Sequence, residues 1–243
     1  MTGSETHYEL VLGDVRETLP RFPGRFRLII ADPPFGIDFD KASHEYGTAG
    51  APLYQDRYGD GEYLDFTREW LAACHGALTP DGSLYAISGW TKLPAVLHAV
   101  EEAPFQILNH CIWHYSWGVY TKRRFVTSHY HVLLLVRDPR RYVFRKQSNY
   151  EEDVWHFPEY NRGNDPNRIK GHPCQLPLVL LEKLIRTSSE PGDWVGDVFS
   201  GSGGTSLAAR RLGRNVAAFE SREDYAPVIR RKARFGEPVE SGE

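Results

Sequence analysis

The sequence predicts an α/β fold, a doubly wound and mostly parallel sheet of seven strands with a small insertion. Short apolar segments alternate with longer amphipathic segments, the pattern of strand–helix–strand units. The run Leu28–Ala31 has no polar interruption, as expected of a strand buried on both faces. The 243 residues, 41% of them hydrophobic, are enough for one substantial core.

The first part of the chain predicts three strands and the segments that join them. In order, these are a strand at 7–15, a short helix or turn at 16–22, a strand at 26–34, a helix at 62–78, a strand at 83–89 and a helix at 91–103. The 62–78 helix has Leu64, Leu71 and Leu78 on one stripe and is stopped by Thr-Pro-Asp-Gly. Residues 38–61 are rich in Gly, Pro, Asp and Tyr without a period, which favours a long binding loop.

The second part predicts a pair of strands, an irregular segment and then a return to alternation. The elements are strands at 105–115 and 129–138, a helix at 176–189, a turn and strand at 191–199, a helix at 206–213, a strand at 214–221 and a helix at 224–235. Residues 138–170 are polar, basic and irregular, so we interpret them as an inserted recognition segment.

Charge is distributed unevenly along the chain. Residues 121–146 contain eight basic side chains and one acidic one, a net charge of +7, whereas residues 1–81 have a net charge of −7. This asymmetry permits a face that binds a polyanion, but by itself it favours a solvated, salt-bridged surface.

The absence of targeting signals and the spacing of the cysteines indicate the cellular location and the state of the thiols. The chain has no apolar run long enough for a membrane span and no signal-peptide pattern, so we expect a cytoplasmic protein without a membrane partner. Cys74, Cys111 and Cys174 lie far apart without metal-ligand spacing. We therefore expect reduced thiols and no metal site.

The residues best suited to ligand binding or catalysis follow two predicted strands. Asp32-Pro33-Pro34-Phe35 follows one predicted strand, and the glycine-rich turn 197–206 follows another. Ligands of open α/β sheets bind beyond the carboxyl ends of strands where the strand order reverses. The two loops are therefore expected to form the walls of one cleft.

The Asp-Pro-Pro-Phe segment suits chemistry on an exocyclic amino group of a nucleobase. Such a nitrogen is a poor nucleophile because its lone pair is delocalised into the ring, so an enzyme needs hydrogen-bond acceptors for its N–H groups. Asp32 offers a carboxylate and Pro33 a carbonyl, while two prolines remove competing N–H donors. Phe35 offers a flat face for an extracted base. The alternative is a strand that ends in a rigid proline turn.

The glycine-rich turn is less specific by itself. Gly201, Gly203 and Gly204 permit tight turning and close approach of the backbone to a ligand, a device that phosphate, dinucleotide and adenosyl sites share. Glu220 ends the next strand, where a carboxylate can accept hydrogen bonds from ribose hydroxyls. An adenosine-containing ligand and a simple tight turn both remain open on these residues.

Three segments together resemble a known family. ADPPFG (31–36) resembles motif IV of the S-adenosylmethionine-dependent DNA amino-methyltransferases, which modify adenine N6 or cytosine N4. The stretch from Val195 to Glu220 resembles their motif I with its following acidic residue, and GHPCQLP (171–177) resembles motif X. The order IV, basic segment, X, I is similar to that of the β group, so the resemblance covers nearly the whole chain.

The resemblance implies the Rossmann-like methyltransferase fold, S-adenosylmethionine as cofactor and a role for each matched residue. Asp32, Pro33, Pro34 and Phe35 would hold the target amino group and base. The residues placed around the cofactor are Asp14, Val15, Asp32, His172, Pro173, Asp197, Phe199, Ser200, Gly201, Gly203, Thr205, Glu220 and Ser221. Glu220 would bind ribose and Asp14 would meet adenine. The alternative interpretation of Asp14 is a helix N-cap, and that of His172-Pro173 is a turn that leads into a helix.

The match has three departures and leaves the target base open. Leu176 stands where the family commonly has Lys, Gly196 replaces an apolar residue and Val198 replaces a proline. In the family, Asp at the start of motif IV leans towards adenine N6, so Asp32 favours adenine over the alternative, cytosine N4.

The implied substrate is double-stranded DNA, from which the target base must be flipped. Candidate DNA contacts are the basic residues Lys122, Arg123, Arg124, Arg140, Arg141, Arg145, Lys146, Arg162, Arg168 and Lys170. A homodimer and a cognate restriction endonuclease are further partners expected from the resemblance alone. The expected organisation is a catalytic half with motif IV (1–137), a target-recognition segment (138–170) and a cofactor-binding half (171–243) within one catalytic domain.

Three other functions compete with this interpretation. RNA methylation and methylation of a glutamine side-chain amide use similar Asn-Pro-Pro motifs, but the motif order and the basic segment argue against both. A nucleic-acid-binding protein without catalysis would not need both Asp32 and the glycine-rich turn.

Overall fold

The computed structural model describes residues 6–37, 56–59, 61–116, 118, 120–157 and 175–234. The strands are β1 (Tyr8–Leu12), β2 (Phe26–Ala31), β3 (Leu78–Ser88), β4 (Gln106–His114), β5 (His129–Val136), β6 (Val154–His156), β7 (Trp194–Asp197) and β8 (Asn215–Glu220). The α-helices are α1 (Val15–Thr18), α2 (Glu62–Ala77), α3 (Leu93–Glu102), α4 (Leu178–Ser188), α5 (Gly204–Arg211) and α6 (Ala226–Arg234). Short 3₁₀ turns lie at Leu19–Arg21 and Glu223–Tyr225.

The eight strands of the described ranges join one sheet in the order β1-β8-β7-β2-β3-β5-β4-β6. Every neighbouring pair is parallel except the two pairs that β5 makes with β3 and β4. The chain passes from β7 to β8 on one side and from β2 to β3 on the other, so the strand order reverses between β7 and β2. The doubly wound, mostly parallel sheet is confirmed, with an eighth strand beyond the seven predicted.

The eighth strand lies inside the segment that the sequence presents as irregular. β6 pairs three residues, Val154–His156, with the end of β4 at the edge of the sheet. Three residues are too few for a periodic signal, and an edge strand needs only one partner. A second difference is at β3, which begins at Leu78 rather than Ser83, because the pairing with β2 shifts register between Phe26 and Leu28.

The core has two layers, one on each face of the sheet. In β2, Leu28 and Ile30 pack against α4 and α5 on one face, whereas Ile29 and Ala31 pack on the other face with α2 and α3. Both faces are therefore covered, as the uninterrupted apolar run predicted. A fully buried Leu or Ile contributes about 1.5–3 kcal/mol relative to an exposed one, so this strand anchors the residues that follow it.

The direction of the strands decides which loops share an edge. β1, β2, β3, β4, β7 and β8 all end at the same edge, which we call the carboxyl edge. Because β5 runs in the opposite direction, the loop that joins β4 to β5 lies at the carboxyl edge, and the segment after β5 leaves from the opposite edge. Among the described residues, no helix combines the length and apolar character needed to cross a bilayer.

Candidate active site

A cleft of about 580 Å³ opens at the carboxyl edge where the strand order reverses. Ile30 of β2 is paired with Asp197 of β7, so the segment after each strand enters the same space. The predicted residues that line it are Asp14, Val15, Asp32, Pro33, Pro34, Phe35, Asp197, Phe199, Ser200, Gly201, Thr205, Glu220 and Ser221. The two strand ends that the sequence singled out therefore face each other across one cleft.

The Asp-Pro-Pro-Phe loop is held from behind by two residues that the sequence did not point to. The Tyr63 hydroxyl donates to the Pro34 carbonyl over 3.0 Å. The buried Asp56 carboxylate accepts the N–H groups of Gly36 and Ile37, the latter over 3.1 Å. Gly36 has a φ of +63°, and a Cβ there would lie 2.9 Å from the Tyr63 ring. These contacts fix the backbone directly after Asp32, whose position in the cleft is therefore set by the fold.

An aromatic wall continues from Phe35 along the cleft. The Phe35 ring lies 5.2 Å from the Tyr130 ring, which lies 5.5 Å from Trp113 and 5.3 Å from Tyr115. Phe35, Trp113 and Tyr130 all line the cleft. At Gly89, a Cβ would stand 3.3 Å from the Phe35 ring, so glycine there lets the ring sit close to the end of β3. The wall offers flat apolar faces beside the Asp32 carboxylate.

The glycine-rich turn is organised around the buried Asp197. One oxygen of its carboxylate accepts hydrogen bonds from the Ser200 and Ser206 hydroxyls over 2.9 and 3.0 Å. Burial raises the pKa of Asp197 to about 6, against the opposing effect of the two serine hydroxyls, and the nearby Glu220 carboxylate adds to the rise. Asp197 thus stabilises the turn by accepting hydrogen bonds from two of its serine side chains.

The glycines of the turn have different roles. Gly201 lines the cleft with a φ of +50°, and its N–H donates to Glu220 over 2.8 Å. Gly203 caps α5 with a φ of +77° and backs onto α6, where a Cβ would lie 3.0 Å from the Ile229 Cα. Among the described residues Gly203 is not one that lines the cleft. Its packing against α6 accounts for a glycine at this position, and its contact with a cofactor stays a prediction.

Carboxylates surround the other half of the cleft. Glu220 accepts the Gly201 N–H on one oxygen and the Arg222 N–H on the other, over 2.8 and 3.0 Å, and burial raises its pKa. Asp14 caps α1 by accepting the Arg16 N–H over 2.9 Å and also lines the cleft, so its two readings are compatible.

Arg16 is a cleft residue that no motif indicated. Its guanidinium contacts Asp14 and Glu69, both over 2.6 Å, and lies 5.5 Å from the Phe66 ring centroid. The hydrogen bond from the Arg16 side chain is the main cause of a lowered pKa at Asp14. Phe66, Phe199 and Val15 contribute apolar surface near this ion pair. The region therefore combines fixed charges with a flat apolar surface.

The structure separates the predicted basic residues into two groups. Lys122, Arg123 and Arg124 are exposed on the β4–β5 loop at the carboxyl edge. The other described group, Arg140, Arg141, Arg145 and Lys146, follows β5 at the opposite edge. There, the Arg145 N–H donates to the Thr187 carbonyl at the end of α4 over 2.8 Å.

Several predictions fall on residues outside the described ranges. His172 and Pro173, expected beside the cofactor, and Arg162, Arg168 and Lys170, expected on DNA, belong to this group. Most of the predicted binding loop at 38–61 does as well. Those assignments stay predictions.

Comparison with known proteins places the chain among DNA methylases. A family model described as "DNA methylase", of the N6 and N4 methyltransferases, matches residues 26–231. The chain is 27% identical to the Type II methyltransferase M.ScaI of Streptomyces caespitosus, over 89% of this chain and 78% of the relative. It is 28% identical to the Type II methyltransferase M.HpaI of Haemophilus parainfluenzae, over 84% of this chain and 67% of the relative.

Solved structures share the fold. The M1.HpyAVI–SAM complex has a TM-score of 0.68 at 22% identity, over 93% of this chain and 99% of that chain. The cytosine-N4-specific PvuII DNA methyltransferase has a TM-score of 0.73 at 19% identity, over 99% and 89%. TTHA0409 of Thermus thermophilus, complexed with S-adenosyl-L-methionine, has a TM-score of 0.65 at 22% identity, over 96% and 95%.

Proposed function

We infer the function from the family to which the chain belongs, the DNA methylase family of N6-adenine and N4-cytosine methyltransferases. We propose that the chain methylates an exocyclic amino group of a base in double-stranded DNA, with S-adenosylmethionine as donor. The observation that carries the proposal is the single cleft in which Asp32 and the glycine-rich turn face each other. Neither loop alone would specify methyl transfer.

The residues on the β7–β8 side of the cleft fit S-adenosylmethionine by their chemistry. Glu220 supplies a buried acceptor for ribose hydroxyls, and Phe66 and Val15 supply apolar surface for an adenine ring near Asp14. Gly201 has no side chain and allows close approach of the backbone. The carboxylates around the cleft also favour a ligand that carries positive charge. Two proteins of similar fold, M1.HpyAVI and TTHA0409, were solved in complex with this cofactor.

Asp32 acts on the target amino group. Its carboxylate accepts an N–H of that group, which directs the nitrogen lone pair out of the plane of the base, and it stabilises the positive charge that develops on nitrogen. When bound beside Glu220 and Gly201, S-adenosylmethionine would supply an electrophilic methyl group, which the nitrogen would accept while the sulfur keeps the electrons of the broken bond. The nitrogen then loses one proton to water. Alignment of the reacting atoms, rather than a strong base, accounts for much of the acceleration.

The aromatic wall provides a place for a base that has left the helix. A base within the duplex cannot enter a cleft at the edge of a sheet, so it has to be flipped out. Phe35 and Tyr130 present faces on which it stacks, and Trp113 continues that surface. We propose adenine N6 as the target because motif IV begins with Asp. Cytosine N4 is the second candidate, favoured by the fold similarity to a cytosine-N4-specific enzyme.

The remaining partners and segments extend the proposal. Residues 138–170 lie between the catalytic and cofactor-binding halves at 1–137 and 171–243. The residues before β6 leave from the edge opposite the cleft, whereas β6 ends at the carboxyl edge. Recognition of the target sequence is therefore assigned to the part of this segment that follows β6. A cognate restriction endonuclease would fit the Type II relatives. We also propose a homodimer, which sedimentation of the purified protein tests directly.

Transfer of a labelled methyl group tests the function. The protein is incubated with labelled S-adenosylmethionine and, separately, duplex DNA, single-stranded DNA, RNA and protein. Label is expected in duplex DNA, and digestion of the product to nucleosides followed by mass measurement identifies N6-methyladenine or N4-methylcytosine. Label in RNA or protein alone would contradict the proposal, as would the absence of transfer to any of the four.

A further inference from the structure

The loop between β4 and β5 exposes an unusual amount of aromatic surface at the carboxyl edge. Phe125 is 99% exposed and Tyr120 is 77% exposed. Ten large hydrophobic side chains are exposed in the described part of the chain, and six of them lie at or just beyond strand ends on this edge. These six are Leu12, Ile37, Trp90, Tyr120, Phe125 and Val126. Single exposed apolar residues need no explanation, but a concentration on one edge marks an interaction surface.

The loop stands on a firm base that is continuous with the cleft. The Tyr115 N–H donates to the Ser128 carbonyl over 2.9 Å and closes the loop. The Tyr115 ring lies 5.6 Å from Trp113 and 5.3 Å from Tyr130, two members of the aromatic wall that line the cleft. Whatever the loop contacts is therefore next to the pocket proposed for the flipped base.

The positive charge of the β4–β5 loop indicates which kind of partner its exposed aromatic surface binds. Lys122, Arg123 and Arg124 are exposed and directly precede Phe125. A triple cation beside an exposed ring is matched by duplex DNA, in which phosphates flank stacked bases. A protein partner with an apolar patch would satisfy the ring but not the three cations.

We propose that Phe125 inserts into the duplex and fills the gap that the target base leaves when it enters the cleft. This inference rests on the proposed function and deepens it. Removing a base from the stack exposes the faces of its two neighbours, and an apolar side chain inserted between base steps covers them. Lys122, Arg123 and Arg124 hold the phosphates on either side of the ring, at the same edge of the sheet as the cleft.

The test compares Phe125→Ala with Tyr150→Ala. Tyr150 is 85% exposed, precedes β6 and serves as the matched control for loss of an exposed ring. The probe is a duplex that contains the site mapped on the methylated product of the wild-type protein, with 2-aminopurine in place of the target base. Fluorescence of 2-aminopurine rises when the base leaves the stack, and this readout does not depend on methyl transfer.

For Phe125→Ala we expect a reduced fluorescence rise and a loss of about tenfold in kcat/KM on matched duplex, the order expected for one base–aromatic stack. The loss should shrink on a duplex whose target base is mismatched, because that base is already partly unstacked. Tyr150→Ala should behave as wild type on both duplexes.

Two results would overturn the inference while leaving the proposed function intact. One is equal fluorescence and kcat/KM for Phe125→Ala and wild type on matched duplex. The other is a Phe125→Ala variant that dissociates a wild-type dimer in sedimentation but flips the base normally, which would assign the ring to self-association. If the wild-type protein transfers no methyl group to DNA, the proposed function fails first and this inference with it.

Discussion

The Asp32 carboxylate follows directly from β2, and its loop is held from behind by Tyr63 and Asp56. Asp32→Ala removes the acceptor for the target amino group but leaves the glycine-rich turn and Glu220 in place. Methyl transfer should therefore be abolished, whereas the cofactor Kd should change by less than about tenfold, or ~1.4 kcal/mol. Single-turnover transfer and calorimetric titration of the cofactor measure the two quantities.

Asp138→Ala is the control for this substitution. Asp138 is an acid at the opposite edge of the sheet, and its partner is the exposed Arg141. The control variant should transfer methyl groups at the wild-type rate. Normal turnover by Asp32→Ala would remove Asp32 from the reaction.

Asp197 makes the stability of the protein depend on pH. Its pKa is raised from 3.8 to about 6 by burial. The folded state therefore retains a proton that the unfolded state has already lost between those two values, so the contribution of Asp197 to folding stability should fall as the pH rises from about 4 to about 6. The shift corresponds to a loss of up to about 3 kcal/mol.

Asp197→Asn should flatten this dependence. The amide oxygen can still accept from the Ser200 and Ser206 hydroxyls, but the side chain no longer ionises. Urea unfolding of both proteins without ligand, at several pH values from 4 to 7, gives the free energies to compare. The difference between variant and wild type should grow in favour of the variant as the pH rises. A constant difference would mean that Asp197 does not titrate in this range.

Among the helices and strands, the start of α5 depends on Gly203. Its φ of +77° disfavours a side chain, and a Cβ would also lie 3.0 Å from the backbone of Ile229 in α6. Gly192 has a similar φ of +88° but open space around its Cβ position. Gly203→Ala should therefore lose more free energy of unfolding than Gly192→Ala, which carries only the backbone penalty of about 1–2 kcal/mol.

Chemical denaturation of the two variants measures the difference. Because both replace a left-handed glycine with alanine, the excess for Gly203→Ala reports the contact between the turn and α6. Equal losses would show that α6 moves away without cost.

The elements also show what a sequence can and cannot predict. The strand before Asp32 is predictable because it is a local apolar run, and the strand that ends at Asp197 is predictable because a glycine-rich turn follows it. The meeting of the two loops follows from the topology of a doubly wound sheet. Tyr130 and Asp56 could not be assigned to the site, because their contacts with Phe35 and Gly36 arise only when distant segments fold together.

The basic segment at 121–146 is a second case in which only part of the structure can be predicted from the sequence. Its charge is evident in the sequence, but its division is not. β5 carries the chain across the sheet between Arg124 and Arg140, and an antiparallel strand in a mostly parallel sheet has no separate mark in its sequence. One charge cluster in sequence thus becomes two surfaces in space.

In the molecule as a whole, the two edges of the sheet should contribute unequally to DNA binding. Arg123 and Arg124 lie at the same edge as the cleft, whereas Arg140 and Arg141 lie at the opposite edge. A flipped base can reach the cleft only when the duplex lies along the carboxyl edge. Phosphate contacts are therefore expected from the first pair.

The salt dependence of DNA binding distinguishes the two pairs. The slope of log K against log salt concentration is negative, and each lost phosphate contact reduces its magnitude by about 0.9, so Arg123→Gln with Arg124→Gln should reduce the magnitude by about 2. Arg140→Gln with Arg141→Gln should leave the slope within error of wild type, because those residues lie at the edge opposite the cleft. Fluorescence anisotropy of a labelled duplex at several salt concentrations provides the slopes. A larger change for the second pair would mean that DNA binds along the opposite edge, where no base could reach Asp32.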